Sequence, residues 1–276
     1  MEAKPYIQAY RGKIVVIKYG GAAMTDESLR ESFAGDVSLL SLVGIKAVVV
    51  HGGGPQITRA MRQAGVEPKW VDGLRVTDAE SVRVVQTTLV GEINPDIVRL
   101  LGGHGTIAAG INGIDGNLLV ARPKDARLGF VGEVDEVNPA IIYGLLDRGI
   151  VPVIAPIGHG RDGAAYNINA DTAAGAVAQA IAAEKLVYLT DVEGLYRDLG
   201  DRSSLLPRLS AAGVRELIDS GSISAGMGPK LRSCLAALQG GVKRAHILDG
   251  RQEHALLLEI FTPEGVGTMI TQEDER

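Results

Sequence analysis

Ala47-Val48-Val49-Val50-His51-Gly52-Gly53-Gly54 is a β-branched run that stops at three consecutive glycines, and its reading decides the fold. Val48 to Val50 are too few and too β-branched for a helix and read as a buried strand. The glycines remove every side chain where the strand ends, so backbone N–H groups can close on an anion. Pro55 opens the following helix, where its missing N–H would have gone unused. A second copy lies upstream: Ile14-Val15-Val16-Ile17, then Lys18-Tyr19-Gly20-Gly21. Two strand-to-glycine turns, one carrying a lysine, point to a site for a highly charged ligand.

Strand-like runs recur at 13–18, 46–50, 106–111, 151–155, 186–190 and 244–248. Between them, 28–42, 140–146, 170–183 and 231–238 carry helical spacing or helix-favouring composition. This alternation predicts an α/β fold, a three-layer αβα sandwich around a mostly parallel open sheet. Residues 118–134 break the rhythm and read as an inserted β-hairpin in the N-terminal lobe. The expected partition is an N-terminal lobe of residues 1–165 and a C-terminal lobe of residues 166–276 that share one sheet.

The chain of 276 residues can bury a sizeable core, and 46% hydrophobic with 22% charged residues is an ordinary soluble balance. Its 36 glycines cluster at strand ends, as suits a phosphate or nucleotide binder. A formal charge of −5 argues against a dedicated nucleic-acid binder. The lone cysteine, Cys234, fits a reducing compartment, and neither a signal peptide nor a membrane-spanning run is apparent, so a cytoplasmic protein is expected.

Several generic motifs are missing. There is no P-loop signature. Gly103-His104-Gly105 with Ala108 imitates a dinucleotide fingerprint but follows a helix and precedes a strand, the reverse of the required context, and reads as a turn. The five histidines have no metal-ligand spacing, and no Ser/His/Asp set stands out.

Seven segments in order along the chain resemble the amino acid kinase family, in particular its N-acetyl-L-glutamate kinases. They are Lys18-Tyr19-Gly20-Gly21, His51-Gly52-Gly53-Gly54-Pro55, Gly73-Leu74-Arg75-Val76-Thr77, Gly116 to Arg122, Gly129-Phe130-Val131-Gly132, Asn167-Ile168-Asn169-Ala170-Asp171 and Gly226-Met227-Gly228-Pro229-Lys230. The resemblance implies transfer of the γ-phosphoryl group of ATP to a side-chain carboxylate, the second step of arginine synthesis through acetylated intermediates. The chemistry suits the residues. A glutamate side chain, with a pKa near about 4.3, is already ionised at neutral pH and needs no general base. The obstacle is an anion attacking a polyanion, so lysines, Mg²⁺ carried by ATP and backbone N–H donors do the catalysis.

By that resemblance, Lys18 and Lys230 flank the transferring group and Asp171 holds both lysines. Gly21, Gly53 and Gly54 donate N–H bonds, Arg75 pairs with the substrate α-carboxylate, and Asn167 binds its polar backbone groups. Asp191, Val192, Glu193, Gly194, Leu195 and Tyr196, with Ser222, Ile223 and Ser224, enclose the nucleotide. No carboxylate cluster suggests a dedicated metal site. The blander readings are a strand-end lysine, a surface arginine, glycine turns of positive φ, and Asn169 and Asp171 as a turn and helix N-cap. Within the fold, a kinase of carrier-protein-linked aminoadipate or a catalytically silent amino-acid sensor are the alternatives.

The C-terminal stretch His254 to Phe261 with Gly265 to Met269 is similar to the tail of arginine-inhibited members. Glu259 would accept the effector's guanidinium, and Gly265 and Gly267 would offer backbone groups. The alternative is a final core strand with a glycine turn. Glu2 to Ile7 matches the end of the N-terminal helix that joins dimers into hexamers in arginine-sensitive relatives. A homodimer is expected, with a hexamer depending on that helix.

Overall fold

The computed structural model describes residues 4–198, 200–221, 223, 226–263 and 265–273. Its centre is a sheet of β1 (Ile14–Tyr19), β2 (Lys46–His51), β3 (Ala108–Asn112), β4 (Val151–Ala155), β5 (Lys185–Thr190), β6 (Arg208–Ser210), β7 (Arg244–Asp249) and β8 (Thr268–Thr271). The spatial order is β6-β8-β7-β5-β1-β2-β4-β3. Neighbours run parallel except β7 and β8, whose antiparallel pairing reverses one edge of the sheet.

Strand parity builds the layers. On β1, Val15, Ile17 and Tyr19 face α2 (Glu27–Leu42), α3 (Gly54–Gln63), α4 (Ala79–Gln86), α5 (Asn94–Gly103) and α10 (Ala255–Phe261). Val16, with Val48 and Val50 of β2, faces α7 (Ala170–Ala180) and α9 (Met227–Gln239), together with α6 (Ala140–Leu146) and α8 (Ala211–Asp219). Helix α1 (Lys4–Tyr10) packs Tyr6, Ile7 and Tyr10 on the edge of the first layer. Each fully buried Val or Ile contributes about 1.5–3 kcal/mol, so a one-residue slip of β1 is strongly disfavoured. Lys18 shares the parity of Val16 and is thereby directed toward α7.

The predicted αβα sandwich is observed, and the six expected strands lie within two residues of their observed limits. The hairpin expected at 118–134 consists of Leu119–Pro123 and Val131–Val137. It is not isolated: Ile157–Gly160 and Ala165–Ile168 pair with both of its edges and close a four-stranded barrel. Gly132 and Gly158 permit that closure, because a Cβ at either would press on Tyr166 or Ile168. Gly103 to Gly105 is the helix-to-strand turn expected, with Gly105 at φ 81°. The C-terminal stretch is not one core strand. Residues 255–261 form α10, led by His254 at φ 58°, and the strand comes only at β8. Among the described residues, no helix is long and apolar enough to cross a membrane.

Candidate active site

After β2 the chain moves outward to β4 and β3, then returns to β5 on the other side of β1. The loops after β1, β2 and β5 therefore open together where the winding direction changes, the place at which such sheets bind ligands. A cavity of about 300 Å³ lies there. Lys18, Gly21, Gly53, Gly54, Arg75, Asn167 and Asp171 all line it, although they come from four separate parts of the sequence.

Asp171 forms its floor. Asn169 caps α7 by accepting from the amides of Asp171 and Thr172 at 3.0 and 3.1 Å, which places Asp171 in the first turn. An acidic residue is favoured there by the helix dipole. Its Oδ2 accepts from Lys230 Nζ at 2.7 Å, and Lys18 Nζ is 3.1 Å from Oδ1. Lys18, Lys230 and Asp171 are all nearly inaccessible to solvent at their side chains, at 11%, 18% and 7%. Burial pushes the Asp171 pKa up, but the two lysines outweigh it and hold the carboxyl below its ordinary range. The three groups carry a net charge of +1 into a low-dielectric floor. Ser233, one turn after Lys230, donates to the Asp171 carbonyl at 2.8 Å and fixes α9 against α7.

Gly21 has φ 70°, and a Cβ there would overlap the Asp191 carboxylate. That carboxylate accepts from the Ala22 amide at 2.7 Å, so Asp191 pins the first glycine turn, a contact not foreseen from sequence. A Cβ at Gly53 would overlap Ile93 Cδ1, so that side chain would have to shift to admit one. Among the described residues the Gly53 amide has no hydrogen-bond partner, and the first amides of α3 find none within a helix.

Arg75 is buried, with Nη2 donating to Thr58 Oγ1 at 2.7 Å and to the Gly54 carbonyl at 3.1 Å. Its guanidinium carbon lies 4.4 Å from the ring centre of Trp70. Burial pulls its pKa down. The surface-arginine reading is thus excluded by its placement. Asn167 Nδ2 donates to Thr77 Oγ1 at 3.3 Å, tying the barrel to the Arg75 loop. Trp70, half exposed on the cavity wall, was missed. The only sequence signal was an isolated aromatic in a polar loop.

A second cavity of about 270 Å³ follows β5. Asp191 to Tyr196 and Ile223 line it, while Ser222 and Ser224 lie outside the described residues. Arg202, Leu217, Met227 and Arg251 also line it and had no motif to reveal them. A third cavity, of about 300 Å³, brings Glu259, Gly265 and Gly267 together with Tyr6 and Tyr10 of α1. Glu259 is already engaged: His246 Nδ1 lies 2.6 Å from Oε1, and the Val266 amide donates to Oε2 at 3.0 Å.

Among known proteins, residues 13–249 match the amino acid kinase family. The acetylglutamate kinase of Caldanaerobacter subterraneus subsp. tengcongensis is 51% identical over 99% of this chain and 92% of its own length. In fold, the chain is similar to an N-acetylglutamate synthase from Neisseria gonorrhoeae complexed with coenzyme A and N-acetyl-glutamate. That likeness has a TM-score of 0.87 at 33% identity and covers 99% of this chain but 63% of the synthase chain, so this chain spans less than two thirds of the synthase. The same synthase complexed with coenzyme A and L-arginine superposes with a TM-score of 0.83 at 30% identity, over 99% of this chain and 64% of that one.

Proposed function

The chain belongs to the amino acid kinase family, and from that premise we propose how it phosphorylates the side-chain carboxylate of N-acetyl-L-glutamate with ATP in arginine biosynthesis. The observation that carries the division of labour is Asp171, which spans Lys18 and Lys230 on the floor of the cavity. N-acetyl-L-glutamate occupies the cavity bounded by Arg75 and the glycine turns. ATP lies in the cavity after β5, with its γ-phosphoryl group directed to the lysine pair. The N-terminal lobe, to about residue 165, thus holds the amino acid together with Asn167, and the remainder holds the nucleotide.

A carboxylate oxygen attacks the γ-phosphorus, the bond from that phosphorus to the β–γ bridging oxygen breaks, and ADP leaves. No proton is transferred, so no general base is needed. Lys18 and Lys230 neutralise charge on the oxygens in flight, and Asp171 keeps both ammonium groups at fixed positions without titrating. Amides of Gly21, Gly53 and Gly54 supply further donors. Arg75 offers a planar fork to the α-carboxylate, and Asn167 offers an amide to the substrate backbone. Mg²⁺, carried by ATP, would offset the charge of its phosphates. Both Asp171 oxygens are taken by lysines, and among the described residues no group of three or more His, Cys, Asp or Glu side chains converges. Full-length identity to acetylglutamate kinases favours the free N-acetyl amino acid over a carrier-linked aminoadipate. The paired lysines disfavour a silent sensor.

The cavity beside α10 is a receptor for L-arginine as a feedback inhibitor, with Glu259 facing the guanidinium and the turn at Gly265 and Gly267 facing the other end. The likeness to a synthase solved with L-arginine supports this reading. The expected assembly is a homodimer, and the exposed apolar side chains available to it include Ile107, just before β3, and Leu39 and Leu42 of α2. Helix α1 is the element that would join dimers into a hexamer. The protein works in the cytoplasm.

Lys18→Ala and Lys230→Ala test the mechanism. Each should lower kcat by about 10²-fold or more, the scale for losing one preorganised transition-state donor. Near wild-type kcat in both variants would remove the lysines from the chemistry.

A further inference from the structure

We propose that His51 and Asn94 are positioning residues that aim the Gly53 amide into the substrate cavity, an inference that rests on the reading of that amide as a donor to the reacting groups. The Gly52 carbonyl and the Gly53 N–H belong to one planar trans peptide and point in opposite directions. Whatever holds the carbonyl on one side therefore presents the N–H on the other.

His51 holds the carbonyl, with Nδ1 lying 2.9 Å from Gly52 O. A carbonyl oxygen only accepts, so Nδ1 carries the ring proton. The other nitrogen, Nε2, lies 3.1 Å from Asn94 Nδ2. That Asn94 atom also faces the carbonyls of Val153 at 2.9 Å and Ile111 at 3.3 Å, which identifies it as the NH₂ end of the side chain. Nε2 is thus the acceptor, and the two contacts demand the same neutral tautomer. Burial supports it: His51 has no solvent exposure, and its pKa is pushed down to about 4. The Gly52 amide is occupied separately, donating to Tyr19 O at 2.8 Å and joining the two glycine turns.

The placement of Asn94 follows from a backbone irregularity. A π-helical turn, Thr87–Ile93, joins α4 to α5, and Asn94 is the next residue. Such widened turns recur at functional sites. Within it, Leu89 Cδ2 and Ile93 Cδ1 press on the space where a Gly53 Cβ would stand, the former at 3.1 Å. One segment thus packs against Gly53 and, through Asn94 and His51, sets the peptide that precedes it.

The test compares His51→Phe, which keeps the ring and loses both contacts, with His51→Asn, whose Nδ2 stands close to where Nδ1 donates. A tilted donor peptide should lower kcat about tenfold or more in His51→Phe, with KM for ATP within about twofold of wild type. His51→Asn should recover most of the loss. Wild-type kcat in His51→Phe, or no recovery in His51→Asn despite an unchanged melting temperature, overturns the proposal. A second measurement is independent of any variant's folding: ¹⁵N NMR of ring-labelled wild-type protein at pH 7. The proposal requires the Nδ1–H tautomer at His51, and finding Nε2–H or imidazolium there contradicts it. If Lys18→Ala and Lys230→Ala are inactive while His51→Phe is fully active, the kinase reading stands and this inference alone fails. A wild-type protein without turnover on N-acetyl-L-glutamate defeats the reading itself.

Discussion

Arg75 is held in the cavity wall by Thr58, the Gly54 carbonyl and the face of Trp70. The motif Gly73-Leu74-Arg75 marked it as a carboxylate partner, but spacing alone left a surface arginine equally open. Burial, two hydrogen bonds through Nη2 and stacking on Trp70 exclude the surface placement, and none of these is local in sequence. Arg75→Lys keeps the charge and loses the planar fork and the stacking. Steady-state kinetics should show KM for N-acetyl-L-glutamate rising by about tenfold, with KM for ATP little changed. An equal rise for both substrates would make Arg75 a structural residue. Asp191 teaches the complementary lesson. It was legible as part of the nucleotide segment, yet its carboxylate is spent on the Ala22 amide, a tertiary contact between loops that no local pattern encodes.

Among the elements, those with strong patterns were legible: the β-branched strands, the glycine-terminated turns and the alanine-rich α7. The second hairpin of the barrel was not, because Ile157–Gly160 and Ala165–Ile168 hold four residues each and carry glycine and polar residues at strand positions. The edge strand β6 and its neighbour β8 are similarly short. Helix α10 was hidden by Leu256-Leu257-Leu258, an apolar run that suits a strand as well as a helix. Its structure matters for regulation, since Glu259 projects from α10 toward His246 and into the cavity shared with α1. Burial raises the Glu259 pKa, but the contact with His246 outweighs it and keeps the carboxylate ionised. L-arginine at about ten times its Kd should stabilise the fold by about 1.4 kcal/mol, a melting-temperature rise of about 2–4 °C for a chain of this size. Glu259→Gln, which can still accept from His246, should abolish most of that rise. Equal shifts in both proteins would place the effector elsewhere.

For the whole molecule, stability and activity meet at the buried histidines and the lysine-bridging carboxylate. An unfolded histidine titrates near about 6.5. In the fold, burial holds His51 near about 4, so between those values the unfolded chain binds more protons. Stability therefore rises with pH across that window and is fully present above it, being lost as pH falls from about 6.5 toward about 4. Moving from pH 7 to pH 5 should cost about 2 kcal/mol through His51 alone. Urea unfolding of wild type and His51→Asn at both pH values would reveal it as a smaller pH effect in the variant, and identical pH effects would contradict it. The central claim is that one cavity, floored by Lys18, Asp171 and Lys230 and walled by Arg75, transfers phosphate to a free N-acetylated amino acid. Coupled ADP-release kinetics of the wild-type protein with N-acetyl-L-glutamate, L-glutamate and α-aminoadipate test it most directly. Robust turnover with N-acetyl-L-glutamate, and at least about 10²-fold lower kcat/KM with the other two, is the expected result. No turnover with N-acetyl-L-glutamate, or a preference for either alternative, would contradict it.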